Sequence, residues 1–356
     1  MLARCISALA MVLGISLAIT NCPAQSAVLD LPRDSQHSMV AQRIGITDIT
    51  INYHRPVVKG RTIWGKLVPY GEVWRAGANE NTTIAFTDPV SIEGRPLPAG
   101  IYGLHMIPRE NEWTIIFSKD HTSWGSFTYK DADDALRVTV KPQPTEFHEA
   151  LTYDFDDLKP DSTVVTLRWE KVAVPFKIDV NVHDIVKASF HNQLQNLSQY
   201  YWESWDDAAN YLLAQKYDLD EALKYEDTSI GTEPRFDNFL TKSQLLEAMG
   251  RKDEAEAAKN QALAVASARQ LYYYGRQLQG QKKQDQAFDL FRQAAKKDPN
   301  DWLVHDGVAR IYCSQGNFDA ALKEMKLSLD GAPDNQKIFI EPLVKKLGAK
   351  QDINLN

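Results

Sequence analysis

Three cysteines in 356 residues are too few to staple this chain. Cys5 and Cys22 fall in the first 24 residues, so Cys313 is left alone and the remainder can form no internal disulfide. It sits in Arg310-Ile-Tyr-Cys-Ser, a predicted helix, where a thiol reads as a small buried apolar group rather than a nucleophile. Basic excess is lacking too. The net charge is −7 and both halves are mildly acidic, which excludes the electrostatic footprint of a nucleic-acid binder. No Gly-x-Ser-x-Gly elbow, His-Glu-x-x-His pair or phosphate loop ending in Gly-Lys-Ser/Thr occurs. His37, His54, His105, His121 and His148 show no ligand spacing, so neither metal nor cofactor is expected.

Long apolar runs are equally scarce. The one candidate, Ile6 to Ile19, is shorter than the roughly 20 residues needed to span a bilayer. Arg4 precedes it and small residues follow, with a cleavage point after Ala24. The expectation is a signal peptide over 1–24 and a periplasmic or secreted protein with no transmembrane helix in the mature chain. Lipid modification at Cys22 is the lesser alternative, because Thr20 and Asn21 suit it poorly.

What is present is concentrated in one run, Tyr53 to Asn79, dense in Gly, Pro, Trp and Arg and without helical or alternating periodicity. A segment of about 25 residues without regular structure in a compact domain is functional or disordered, and the aromatics argue against disorder. Gly60, Gly65, Gly71 and Gly77 permit turns, and Pro56 and Pro69 mark strand ends. The candidate ligand-binding residues are Lys59, Arg61, Trp64, Trp74, Arg75, Asn79 and Glu80. Planar guanidiniums suit a carboxylate, and Trp64, Tyr70, Trp74 and Trp124 suit an aromatic platform of the kind that holds sugars. Against this stand two plainer readings: the arginines tie the loop to its own carbonyls, and the indoles plug the end of the domain.

Tyr53-His-Arg-Pro, Ile63-Trp-Gly, Val73-Trp-Arg-Ala-Gly-Ala-Asn-Glu80, Pro98-Ala-Gly-Ile-Tyr102 and Trp113-Thr-Ile-Ile-Phe117 resemble the signature blocks of the domain of unknown function 2911 family. The resemblance covers roughly residues 31–182. It implies a secreted bacterial protein and supplies no catalytic residues.

Around the run the pattern is strand-like. Thr47 to Tyr53 alternates with period two, and the turn Pro108-Arg-Glu-Asn111 joins two apolar stretches as a hairpin. Eight or nine short strands predict an antiparallel β-sandwich over 28–182, with a closed barrel as runner-up. A linker helix is expected over 183–205, where helical spacing runs from Asp184 to Asn210 with Phe190, Leu194, Leu197 and Tyr201 on one face.

From 206 to 348 a repeat appears. Ala222, Ala255, Ala287 and Ala321 recur at a period near 34, small residues follow at Ser229, Ala262, Ala294 and Ser328, and Pro234, Pro299 and Pro333 close three units. This resembles the tetratricopeptide repeat. Asn210 and Ser243 occupy positions where the third unit has Gly275, and Ile338 to Leu347 reads as a capping helix. Of Tyr272, Tyr273 and Tyr274, with Arg269 and Arg276 nearby, at most two can face a groove.

The function this supports is an exported envelope adaptor, with a protein or peptide partner on the helices and a small anionic or carbohydrate ligand at the loop. The alternative is a carbohydrate-active or other hydrolytic enzyme using Glu72 or Glu80 with Arg61 and Arg75.

Overall fold

The computed structural model describes residues 32–354. The leader, with Ala24 and Cys22, lies outside the described residues. The chain divides between Val182 and His183 into two compact units.

The first unit is a sandwich of two antiparallel sheets. Strands β1 (Gln36–Ile44), β2 (Thr47–Arg55), β3 (Thr83–Phe86), β6 (Gly100–Ile107), β7 (Trp113–Ser118) and β8 (Asp134–Val140) form one sheet, in that order. The other runs β5 (Arg95–Leu97), β4 (Val90–Ile92), β10 (Ser162–Asp179), β9 (Gln143–Asp156). Among the described residues there are thus ten strands, and β9 and β10 are long rather than short. The register of that pair shifts on either side of Glu170, which has φ of 55°.

The alternation read in the sequence is real in β2, where Thr47, Ile49, Ile51 and Tyr53 are buried and their neighbours are not. The core lies where the sheets face each other. Phe117 of β7 meets Phe176 of β10 edge-on at 6.0 Å, and Tyr53 of β2 meets Tyr153 of β9 at 4.9 Å. Strand β6 breaks the alternation, with Tyr102 to Met106 buried on both faces. Its second face is covered by the segment after β7, which brings the ring of Tyr129 to 5.2 Å from that of His105.

The second unit contains ten helices among the described residues. After α1 (Val182–Gln193) come four pairs: α2 (Trp202–Gln215) with α3 (Leu219–Thr232), α4 (Phe236–Ala248) with α5 (Lys252–Val265), α6 (Ala268–Gly280) with α7 (Gln284–Lys297), and α8 (Trp302–Ser314) with α9 (Phe318–Gly331). The closing helix is α10 (Asp334–Gly348). The continuous linker helix expected from Asp184 to Asn210 is instead broken between Gln193 and Trp202, and Leu197 and Tyr201 are exposed. The Asn196 side chain donates to the Asn192 carbonyl, and the Gln199 carbonyl accepts from Trp205 Nε1, so side chains compete with the helical ladder there.

Each repeat signature does what close helix pairing requires. Ala222, Ala287 and Ala321 have no exposed surface, and Ser229, Ala262, Ala294 and Ser328 are buried seven residues on. At Gly275 a Cβ would lie 2.5 Å from Phe291, so α6 and α7 approach too closely for any side chain. Where the second pair has Ser243 instead, its hydroxyl donates to the Ala255 carbonyl at 2.7 Å, and a hydrogen bond joins α4 to α5. Helix α10 caps the stack by laying Ile340 and Leu347 on Ala309, Cys313, Ala321 and Met325.

Candidate functional site

The run between β2 and β3 is ordered by its own side chains. Arg61 Nε donates to the Val58 carbonyl at 3.0 Å, and Nη2 reaches the Val57 carbonyl. Arg55 donates to Leu151 O at 2.9 Å, Asn79 Nδ2 to Ser35 O at 3.3 Å and Trp74 Nε1 to Gly77 O at 3.1 Å. Lys59 is exposed; its backbone N–H donates to Glu149 and its ammonium lies 3.4 Å from Asp34. Ala76 is buried with φ of 51°, a conformation costly for a side chain. Its carbonyl accepts from both Thr82 Oγ1 and Tyr153 Oη, which hold it there. Gly60 to Lys66 spells part of a phosphate loop, but Leu67 stands where a hydroxyl is required and no helix follows.

The indoles form a cluster rather than an open platform. Trp64 packs edge-on against Trp113 at 4.9 Å and Trp169 at 5.7 Å, and Trp74 stacks on Trp169 at 5.9 Å. Trp113 and Trp169 are almost fully buried. Trp124 is elsewhere, half exposed, with the Arg33 guanidinium 5.2 Å above its ring.

Glu80 pairs with neither Arg61 nor Arg75. One carboxylate oxygen lies 2.5 Å from Arg33 Nη1 and the other 3.5 Å from His54 Nδ1. Burial, the largest single influence, opposes ionisation of Glu80, but the Arg33 hydrogen bond, a backbone hydrogen bond and the charges of His54 and Arg33 together outweigh it, and its pKa stands below the ordinary value. The same burial lowers the pKa of His54. These groups line an open cavity of about 460 Å³ with Pro32, Gln36 and His37. Among the described residues no group of three or more His, Cys, Asp or Glu is arranged to hold a metal ion.

Arg75 differs from the other arginines of the run, Arg55 and Arg61, which donate to carbonyls. Its Nε is buried without a hydrogen-bond partner, and burial alone lowers its pKa, with no carboxylate to oppose it. Its Nη1 lies 2.8 Å from where a Cβ on Gly125 would stand. Next along the chain, Ser126 Oγ is 3.0 Å from His105 Nδ1. Burial pushes the pKa of His105 down to about 4, so its imidazole is neutral. Arg33, Trp169 and Ser126 are not singled out by the sequence, since none has a local spacing signal; Trp113 enters there only within a signature block, and His105 only as a candidate metal ligand.

In the helical unit, Tyr272 and Tyr273 face one cavity, while Tyr274 packs on Phe236. Arg269 is committed to Asp301 at 2.6 Å. No helix among the described residues is long and apolar enough to cross a membrane.

An antiparallel β-sandwich joined to a tetratricopeptide-like array of helix pairs defines the class of protein. Residues 35–178 match the profile of the family described as "Protein of unknown function (DUF2911)", as the signature blocks imply. No curated protein matches the chain. Solved structures similar to the helical part include YrrB, a TPR protein with an unusual peptide-binding site, at 15% identity and TM-score 0.28, covering 47% of this chain and 87% of that one. TTC0263, a thermophilic TPR protein in Thermus thermophilus, matches at 19% identity and TM-score 0.29, covering 47% and 91%. MamA matches at 15% identity and TM-score 0.28, covering 45% and 98%. The repeat assignment stands on this chain's own spacing and helix pairing.

Proposed function

We propose that this protein is an adaptor of the bacterial cell envelope, exported by its leader, which binds a protein partner on the helical array. The observation that carries the reading is the cavity among α6, α8 and α10, about 520 Å³ in volume and bordered by the exposed aromatics Tyr273 and Phe339. Tandem helix pairs bury their small residues against one another and leave such surfaces free for partners. The β-sandwich adds a point for a small anion at Arg75, whose donors are free of carboxylates. Glu80, one of the two carboxylates considered for a hydrolytic enzyme, is held by Arg33 and His54, which favours binding over catalysis at that residue.

A photo-reactive side chain placed in vivo at Tyr273 tests the partner reading, with Lys326, exposed on α9, as control. One protein cross-linked from position 273 and not from 326 is expected. Equal products from both positions, or none from 273, overturn the reading. Appearance of the mature chain in an envelope fraction, beginning near Gln25, tests export.

A further inference from the structure

We infer that Ser126 is the nucleophile of an acyl transfer, with His105 as its base. Arg75 meets the charge on the acyl oxygen, and the substrate is an ester of an apolar acid. This goes beyond the adaptor reading, which stands on the helical array.

Three parts of the sandwich deliver these groups to one place. Arg75 belongs to the run between β2 and β3, His105 to β6, and Ser126 to the segment between β7 and β8. Ser126 Oγ lies 3.0 Å from His105 Nδ1. A hydroxyl within hydrogen-bond reach of a base is the arrangement that activates it for attack. Ser123 gives the contrast, because its hydroxyl is spent on Asp120 and Thr128. His105 is 3% exposed, and burial keeps its ring neutral. With the ring proton on Nε2, the lone pair of Nδ1 is available to the serine proton. The charges of Asp134 and Asp120 favour the imidazolium once it forms.

The turn that presents the serine is held in place. Gly125 has φ of 68°, where glycine is at ease. The Asn81 backbone N–H donates to the Ser123 carbonyl at 3.2 Å, and its side-chain amide faces the carbonyls of Ser123 and Gly125. Trp124 pairs with Glu80 through a backbone bridge. A side chain at Gly125 would stand 2.8 Å from Arg75 Nη1, so glycine keeps the space beside the guanidinium clear. No carboxylate offsets the burial of that cation, and an oxygen that becomes anionic during reaction complements it. Phe127 is 83% exposed and Trp124 half exposed, and these rings flank Gly125 and Ser126 along the chain as apolar surface for the acyl group.

The serine oxygen bonds to the ester carbonyl carbon as its proton passes to Nδ1. The bond from that carbon to the alcohol oxygen then breaks, and the alcohol leaves with the proton. Water repeats the sequence on the acyl-serine. Its proton passes to Nδ1, its oxygen bonds to the carbon, the bond to Oγ breaks, and Ser126 recovers the proton as a carboxylic acid leaves.

The test treats the full chain with a fluorophosphonate, which phosphonylates activated serines, and maps the adduct by peptide mass. An adduct at Ser126 is expected, absent from Ser126→Ala and formed far more slowly in the urea-unfolded chain. His105→Gln and Arg75→Met should each slow labelling about a hundredfold. Hydrolysis of p-nitrophenyl butanoate by the parent should be lost in Ser126→Ala. Near-ultraviolet circular dichroism checks that each variant is folded. No adduct at Ser126 in the folded parent overturns the inference, as does an unchanged rate in folded His105→Gln. Should that variant not fold, labelling of the native parent no faster than of the urea-unfolded chain overturns it equally.

Discussion

Trp74 shows how one residue can be read correctly in kind and wrongly in company. The sequence shows a large amphipathic side chain in an ordered run, and the structure gives its N–H to Gly77. Its ring partners, Trp113 and Trp169, come from β7 and β10, and no local pattern could name them. Trp74→Ala is expected to destabilise the sandwich by about 3 kcal/mol, read by urea unfolding of the native chain. Arg61 and Arg75 separate by the same measurement. Arg61→Met removes two ties to loop carbonyls and should cost about 1 kcal/mol. Arg75→Met removes a cation with no partner, and its unfolding free energy should stay within about 0.5 kcal/mol of the parent. A larger loss would make Arg75 structural and remove it as an anion site.

Glu226 is a case at the same scale. It has no exposed surface, and burial, reinforced by neighbouring Asp206, pushes its pKa up to about 10. The native state therefore binds a proton that the unfolded chain releases near its ordinary value of 4.5. Stability falls as pH rises between those two values, and at pH 7 the loss is roughly 3 kcal/mol. Glu226→Gln should recover most of this at pH 7 and much less at pH 4.5, which melting temperatures at the two pH values will show.

Among elements, the repeats were the most legible part. An Ala at each crossing, a small residue seven positions later and a Pro after three of the pairs are local signals with a direct steric cause. Gly275 expresses that cause most sharply. Gly275→Ala should destabilise the array by about 1–3 kcal/mol, since Phe291 and the Ala287 carbonyl leave no room. Ser243→Gly, which supplies the small residue without the hydroxyl, should also be destabilising, because the bond to Ala255 is lost. Element boundaries were less legible. Periodicity runs through residues 194–201 without Gly or Pro, yet Asn and Gln side chains end the helix there. In β6 both faces are buried, so alternation could not report that His105 is enclosed.

At the scale of the molecule, composition limited the possibilities more than it chose among them. Without disulfides in the described residues, each unit depends on covering its own apolar surface. In the array that task falls to α10 and the segment after it. A stop codon after Ala332 would expose the apolar surface of α8 and α9, and the shortened protein is expected to aggregate. Light scattering on the purified chain checks this. A monodisperse product would mean that α9 closes the stack unaided.

The segment after α10 also shelters Cys313. Asp352 accepts from its thiol at 3.2 Å, Ile353 N–H lies 3.5 Å from the sulfur, and burial raises the pKa of the thiol. Alkylation of this sulfur must wait for the segment to lift, so its rate is a native stopwatch for undocking. A ligand that displaces the segment would start that stopwatch sooner, and one that settles alongside it would not.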